Sequence, residues 1–532
     1  MVKTAGPITA NDHRLPGRWP YLIILILGLL LYGRTMFFDF VYLDDNALIL
    51  ENYPIISRVQ NIGLIFGHDV FLSSDRFYYR PLLNLSFMAD AAVAGPLPVI
   101  FHLTNILLHV LAAGLLFYLL VKWRLSRSLA LWLSLVFLAH PVLTQAVAWI
   151  PGRNDSLLAV FVLAAFLSFL AFSTRPRLLS YIAYLGFLFC ALLTKESAVF
   201  LPVLVIFYAC FVEPDRVAPR DRWLLAAGSA AVGALWFVMR HLALGGETTS
   251  YAAAFLDIGQ NAPALLIYLG KLLWPFNLAV FPILADSRLW PGCIVLLLLG
   301  AAAWQSRPRR NRYFLFSLLW FLLFLLPSFI RVNGLPDFLE HRLYLSFIGF
   351  LLFLAELPWI RSLDFNRKNV KMIGVAILLI LAALTWQHSA AFSDRLTFWQ
   401  AAAQASPHSP LAQKNLGVMY YLDGDFSAAE QYYQRALALN PQESMVHNNL
   451  GVIDLSRHDY ASAEQEFRRE LIVNPRYDKA LFNLGDLAYR QRRYDAAADF
   501  WSQALASNPF YQEAYQRLRS LPGREQWPRR EQ

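Results

Sequence analysis

Charge is scarce in this chain. Only 16% of its 532 residues are charged, 57% are hydrophobic, and the mean hydropathy is +0.42. That excludes an ordinary soluble protein and points to many membrane spans. Cysteine is nearly absent: Cys190, Cys210 and Cys293 all fall within apolar stretches. They offer neither metal-ligand spacing nor a disulfide framework, and read as small hydrophobes. No P-loop, dinucleotide glycine fingerprint or H-E-x-x-H motif occurs, so nucleotide-driven transport is not expected. The net charge of +9 does not indicate nucleic acid. Its basic residues sit in short clusters between apolar segments, as the positive-inside rule expects.

What is present begins with apolar segments near 19–37, 99–121, 128–149, 156–173, 179–194, 196–212, 223–240, 290–305, 313–330, 343–360 and 370–389. These predict about eleven transmembrane helices within a membrane domain of residues 1–390. Lys3, Arg14 and Arg18 precede the first segment. No small-residue cleavage site follows it, so an uncleaved span with a cytoplasmic N-terminus is expected rather than a signal peptide. Alternate loops carry Lys122, Arg124 and Arg127; Arg175 and Arg177; Arg216, Arg220 and Arg222; Arg307, Arg309, Arg310 and Arg312; and Arg361, Arg367, Lys368 and Lys371. All face the cytoplasm if the region 241–289 does not cross. The apolar run 263–282, interrupted by Lys271, Pro275 and Asn277, therefore reads as re-entrant or interfacial. On this topology the first large loop (38–98) and the C-terminal region lie outside the cytoplasm. The expected setting is a bacterial inner membrane with the C-terminal domain in the periplasm.

From about residue 405 the chain turns polar and repeats itself. Asn415-Leu416-Gly417 recurs as Asn449-Leu450-Gly451 and Asn483-Leu484-Gly485, each 34 residues on, and Pro441, Pro475 and Pro509 keep the same interval. Ala429, Ala463 and Ala497 each stand four residues before an aromatic, Tyr433, Phe467 and Trp501. This is the tetratricopeptide signature, a stack of helix pairs. Three repeats with a capping helix fill 411–521, behind a half-repeat connector at 391–410, and a basic tail occupies 522–532. Such stacks present a concave surface that binds peptides or proteins; the plainer reading is a spacer or dimerisation domain.

The unusual polar residues collect at the outer ends of the spans. Asp44 and Asp45 are adjacent carboxylates just past the first span, costly near a bilayer unless they face water, a partner or a substrate. Either could instead cap a loop. Arg80, flanked by Tyr78 and Tyr79, could bind phosphate or a lipid headgroup. Gly152-Arg153-Asn154-Asp155 fits a turn with a helix cap, or brings Arg153 to the outer face. Lys195-Glu196 could be a local ion pair, or a cation for an anionic substrate. Glu340-His341-Arg342 stands at the mouth of a span with Tyr344, and Arg342 is a candidate phosphate contact. His140-Pro141 ends the third segment. His102 and His109, seven residues apart, are too far along one helix to share an ion, so interhelical hydrogen bonds are expected.

Taken together, Phe40-Val41-Tyr42-Leu43-Asp44-Asp45-Asn46, Tyr79-Arg80-Pro81-Leu82, Phe101-His102-Leu103-Thr104-Asn105, His140-Pro141-Val142, Gly152-Arg153-Asn154-Asp155, Thr194-Lys195-Glu196 and Glu340-His341-Arg342-Leu343-Tyr344-Leu345 form an ordered series. This series resembles the transmembrane, tetratricopeptide-repeat-containing O-mannosyltransferases and their bacterial relatives, and the resemblance covers nearly the whole chain. It implies an all-α polytopic GT-C fold followed by a repeat solenoid. It also implies a glycosyltransferase with a polyprenyl-phosphate-linked donor, whose acidic pair in the first outer loop is catalytic. Asp44 or Asp45 would be the base, with Asp44 preferred, and Arg342 would lie near the lipid phosphate. The chain departs from the family at Thr144, Gln145 and Ser346, which puts donor and acceptor identity in doubt.

The resulting expectation is transfer of a sugar, a hexose such as mannose, to a hydroxyl acceptor on protein, with inversion, outside the cytoplasm. Substrate contacts are expected from Arg80, His140, Arg153, Lys195, Glu196, Glu340, His341, Arg342 and Tyr344. The sequence requires no metal, and a divalent ion stays open. The expected partners are the bilayer, the lipid-linked donor and a protein or peptide bound by the repeats. The alternative is a non-enzymatic membrane-anchored scaffold for envelope assembly, which explains the repeats but not the outer-loop charges.

Overall fold

A computed structural model describes residues 17–72, 78–245, 258–259, 261–306, 311–330, 338–365, 367–509 and 511–521. Arg307, Arg309 and Arg310, Lys3 and Arg14, and the basic tail lie outside these residues. The described chain is helical, without a strand. It divides into two compact units, residues 1–398 and 399–532.

The first unit contains α1 (Trp19–Tyr32), α2 (Pro81–Ala94), α3 (Pro98–Lys122), α4 (Arg127–Ala139), α5 (Thr144–Ala148), α6 (Arg153–Thr174), α7 (Leu178–Thr194) and α8 (Phe200–Phe207). It continues with α9 (Pro219–Leu244), α10 (Ala264–Leu273), α11 (Trp290–Ser306), α12 (Asn311–Leu325), α13 (Tyr344–Glu356) and α14 (Lys368–Ser389). Each of the eleven expected segments is helical. Among the described residues, six helices are long and apolar enough to cross a bilayer: 19–37, 98–122, 150–174, 219–244, 311–329 and 368–392. The pair 127–139 and 141–148, bent by 51° at His140-Pro141, makes a seventh if it counts as one span. The segments 178–194, 196–212 and 290–304 are apolar but shorter, and α13 is 13 residues long. At 1.5 Å rise per residue such helices fall short of a hydrocarbon core of about 30 Å. Several apolar helices therefore fit a multi-pass membrane protein, while the full count of eleven is not confirmed among the described residues. The run 263–282 forms only the ten-residue α10, which ends at Trp274 beside Pro275.

The second unit is a stack of helix pairs: α15 (Pro410–Leu422) with α16 (Phe426–Leu439), α17 (Val446–Ser456) with α18 (Tyr460–Val473), and α19 (Asp478–Arg490) with α20 (Tyr494–Ser507), closed by α21 (Gln512–Arg519). The packing explains the repeated residues. A Cβ on Gly417, Gly451 or Gly485 would come within 2.7, 2.7 or 2.4 Å of Tyr433, Phe467 or Trp501. The glycine is thus the floor on which the aromatic of the next helix lies. Each of these rings is almost fully buried, worth roughly 1.5–3 kcal/mol of apolar transfer. Asp425 and Asp459 cap the second helices of two repeats, accepting from Ala428 N and Ser462 N. Arg493 replaces the Asp at the third, and no side chain caps that helix.

Candidate functional site

The first loop is built from its apolar residues inward. Leu48, Ile49, Ile56, Ile65 and Val70 bury against Leu83, Phe87 and Phe101 of α2 and α3. Buried amides tie the turns together. Asn52 Nδ2 donates to Ala47 O and Phe71 O at 2.7 and 2.8 Å, and Asn84 Nδ2 donates to Val70 O at 2.9 Å. At the loop's start, Asp39 N donates to Ser393 O, beyond the end of α14.

The two adjacent carboxylates have different surroundings. Asp45 is 1% exposed. The N–H groups of Val41 and Tyr42 donate to its Oδ2 at 2.6 and 3.1 Å. Tyr42 stands in the left-handed region at φ 58°, a costly conformation for a residue with a side chain, and the Asp45 carboxylate holds it there. Burial, reinforced by the neighbouring Asp44 charge, pushes the Asp45 carboxyl up to about 7, against the pull of those backbone donors. Asp44, by contrast, lines a cavity of about 430 Å³.

Separate elements meet around this cavity. The first loop contributes Asp44, Tyr78 and Arg80; the chain before and at the start of α6 contributes Trp149, Asn154 and Asp155. Lys195 and Glu196 come from the link after α7, Arg240 from the end of α9, and His341 and Arg342 from the turn before α13. Gly152 makes the α6 start possible, because a Cβ there would lie 2.5 Å from Gln145 O.

Lys195 and Glu196 do not pair with each other. Lys195 is extended (φ −158°, ψ 139°), which sends successive side chains to opposite sides. Lys195 Nζ instead donates to both oxygens of Asp155 at 2.7 and 2.9 Å. Glu196 Oε2 accepts from Arg80 Nε and Nη2 at 3.1 and 3.0 Å. Arg80 also lies over the Tyr78 ring, 4.3 Å from its centroid. With the Asn154 amide oriented to satisfy both its atoms, its oxygen accepts from Arg80 Nη1 at 2.9 Å and its nitrogen donates to Thr194 O at 3.0 Å. Burial lowers the Lys195 ammonium, and Asp155 partly restores it. Burial, then the charges of Lys195, Arg342 and Arg80, hold the His341 imidazole well below its usual range, hence neutral.

Four of the expected substrate contacts are placed elsewhere. Arg153 does not reach the outer surface. Its guanidinium is fully buried, paired with Asp90 at 2.5 Å, and donates to Asn105 Oδ1, Ser86 Oγ and Phe101 O at 2.7, 3.2 and 2.7 Å. At 100° per residue, positions 153 and 155 point to opposite sides of α6, so Asp155 faces the cavity while Arg153 binds α2 and α3. His140 is buried and holds α10: its Nε2 bonds Leu272 O at 3.0 Å and its Nδ1 accepts from Val142 N at 3.3 Å. Tyr344 bonds His109 Nδ1 at 2.6 Å, and His109 Nε2 bonds Leu138 O at 3.1 Å, an interhelical arrangement as expected for His109. Glu340 is buried between Lys271 Nζ (2.7 Å), Ala279 N (2.8 Å) and His388 Nε2 (3.1 Å). Burial opposes its ionisation, but Lys271 and His388 hold its carboxyl below the usual range.

Gln145, one of the departures from the family pattern, donates from Nε2 to Val280 O at 3.1 Å and accepts at Oε1 from His341 N at 3.2 Å. It thereby braces the turn that carries His341 and Arg342. Arg240 and Trp149 were not among the sequence candidates, and Asn154 and Asp155 read only as a helix cap. For Arg240 a signal existed: it is a lone basic residue at the end of an apolar segment, opposite the basic cluster at 216–222. Among the described residues, no group of three or more His, Cys, Asp and Glu side chains could hold a metal ion. In the second unit, a groove of about 550 Å³ is lined by Glu430, Gln431, Gln434, Arg435, Asp454 and Glu466, among others.

A multi-helix apolar unit with a charged cavity, followed by a helical-repeat unit, defines the class. Tetratricopeptide repeat models match residues 410–443 and 448–511. Among curated relatives, the chain is 24% identical over 423 residues to Protein O-mannosyl-transferase F38B6.6 of Caenorhabditis elegans, covering 74% of this chain and 59% of the relative. It is 32% identical over 302 residues to Protein O-mannosyl-transferase TMTC4 of Homo sapiens, covering 48% and 39%. It is 31% identical over 239 residues to Protein O-mannosyl-transferase TMTC1 of Mus musculus, covering 40% and 24%. The chain thus spans from about a quarter to three-fifths of these relatives' lengths. The resemblance carried by the motifs is to proteins of this name.

Proposed function

We propose that the protein is a membrane glycosyltransferase that moves a sugar, a hexose such as mannose, from a polyprenyl-phosphate-linked donor to a hydroxyl on a protein acceptor, outside the cytoplasm. The observation that carries this reading is the cavity. It combines one carboxylate from a well-braced loop, Asp44, with the cations Arg80, Lys195 and Arg342. The relatives' name supports protein as acceptor and mannose as sugar.

In the proposed reaction Asp44 is the base. An acceptor hydroxyl is a weak nucleophile near neutral pH. Asp44 takes its proton as the oxygen attacks the anomeric carbon, a contribution of about 10²–10⁴-fold. The bond from that carbon to the phosphate oxygen breaks on the opposite face, so the configuration inverts. The electron pair leaves with the lipid phosphate, which Arg342 and Lys195 stabilise as charge builds there. Asp45 acts by fixing the turn that presents Asp44. Trp149 and Tyr78 give the sugar ring flat walls. The repeats recruit the acceptor polypeptide.

The test is transfer by the purified full chain from polyprenyl-phosphate mannose to a serine- and threonine-rich peptide, read by mass spectrometry. Wild type is expected to add a hexose, and Asp44→Asn to do so about 10²–10⁴-fold more slowly with an unchanged melting temperature. Native-rate transfer by Asp44→Asn would overturn the assignment.

A further inference from the structure

The cavity's charges are not evenly matched. Arg80 is held by Glu196 and Lys195 by Asp155. Arg240 lines the same cavity, half-buried, and makes no hydrogen bond or ion pair among the described residues. A cation in such a place without a carboxylate is unusual, because desolvating a charge costs free energy unless a partner repays it. Topology does not account for it either. α9 begins with its basic residues, Arg220 and Arg222. Arg240 lies 18 residues after Arg222, about 27 Å along the axis, so the two positive ends are separated by most of a bilayer. The helix C-terminus four residues on offers only a weak attraction, roughly 0.3–1 kcal/mol.

We infer that Arg240 is a substrate contact that takes the phosphate of the lipid-linked donor and so sets the preference for a phosphorylated lipid over a neutral one. The inference rests on the donor reading proposed above. With His341 neutral and two cations already neutralised by their carboxylates, a phosphate entering the cavity meets an uncompensated guanidinium at Arg240, which can donate two parallel hydrogen bonds to phosphate oxygens. Arg240 reaches the cavity from α9, an element separate from the turn that carries Arg342. A donor phosphate held by both is gripped from two separate elements, which fixes its direction of departure.

The experiment titrates the purified full chain with polyprenyl monophosphate and, separately, with the neutral polyprenol of equal length, reading quenching of tryptophan fluorescence. Wild type is expected to bind the phosphate at least tenfold more tightly. Arg240→Gln is expected to lose most of that margin while binding polyprenol as wild type does, and Arg240→Lys to keep part of it. Arg240→Ala, compared by the same ratio, serves if Arg240→Gln does not fold. A variant lacking the guanidinium that keeps the full margin overturns the role of Arg240 and leaves the donor reading standing. Absence of any margin in wild type overturns the donor reading, and the role of Arg240 with it.

Discussion

The ion pairs around the cavity and those a few residues away use the same residue types in opposite ways. Arg80–Glu196 and Lys195–Asp155 border open space, with side chains 16 and 28%, and 17 and 6%, exposed. Arg153–Asp90 and Lys271–Glu340 are sealed, at 0 and 7%, and 6 and 0%. A sealed cation cannot meet a substrate without opening the helices around it. Its work is to fix where α2, α3 and α6 meet, or where α10 and α14 grip the turn before α13. A bordering pair can exchange part of its bonding for a ligand's phosphate. Exposure, more than charge, separates the residues that can act from those that position them. The carboxylates Asp44 and Asp45 repeat the contrast within two residues.

That contrast can be broken at several points. The largest effect is expected at the acids: Asp44→Asn should lower transfer by about 10²–10⁴-fold with an unchanged melting temperature, whereas Asp45→Asn should keep transfer within about tenfold and melt earlier. Equal loss of transfer in a well-folded Asp45→Asn would end the distinction. Next come the sealed pairs. Arg153→Leu strands Asp90, at a cost of about 3–5 kcal/mol, seen as a lower melting temperature and poor recovery in detergent. Lys195→Gln keeps a hydrogen-bond donor beside Asp155 and should cost less stability than Arg153→Leu while weakening donor binding; a stability loss as large as that of Arg153→Leu would erase the difference between the two sets.

A pH series sharpens the Asp45 assignment. Its carboxyl is raised from 3.8 to about 7 in the fold, so between those values the folded protein binds more protons than the unfolded one. Its contribution to stability is therefore largest at acid pH and is lost as pH rises through about 7, at up to roughly 1.4 kcal/mol per pH unit. Asp45→Asn should flatten that slope, and an unaltered slope would assign the titration to another group. The smallest effect on the cavity is expected at Gly451→Ala in the second unit. The added Cβ would meet Phe467 at 2.7 Å and cost about 1–3 kcal/mol, read by proteolysis of the repeats, with polyprenyl monophosphate binding unchanged.

The repeats and the apolar segments are legible in the sequence because each is written locally. Gly451 meets Phe467 sixteen residues away, within one repeat, and a membrane helix needs only its own run of apolar residues. Even there the chain limits the reading, since composition marks 178–194 as a span but length does not. The site is different. Asp44, Lys195 and Arg342 carried signals as polar residues at span ends, yet their partners come from distant parts of the chain. Nothing in the adjacency of Lys195 and Glu196 says that an extended backbone turns them toward Asp155 and Arg80. Nor does Gly-Arg-Asn-Asp say that the Arg turns inward and the Asp outward. Sequence alone determined the helical membrane unit, the three repeats, the acidic pair and the kinship. Tertiary structure alone decided that Asp44 lines a cavity while Asp45 is buried holding a turn, and that Arg240 joins the cavity from α9. Burial and ion pairing depend on which helices meet, and that is a property of the whole fold.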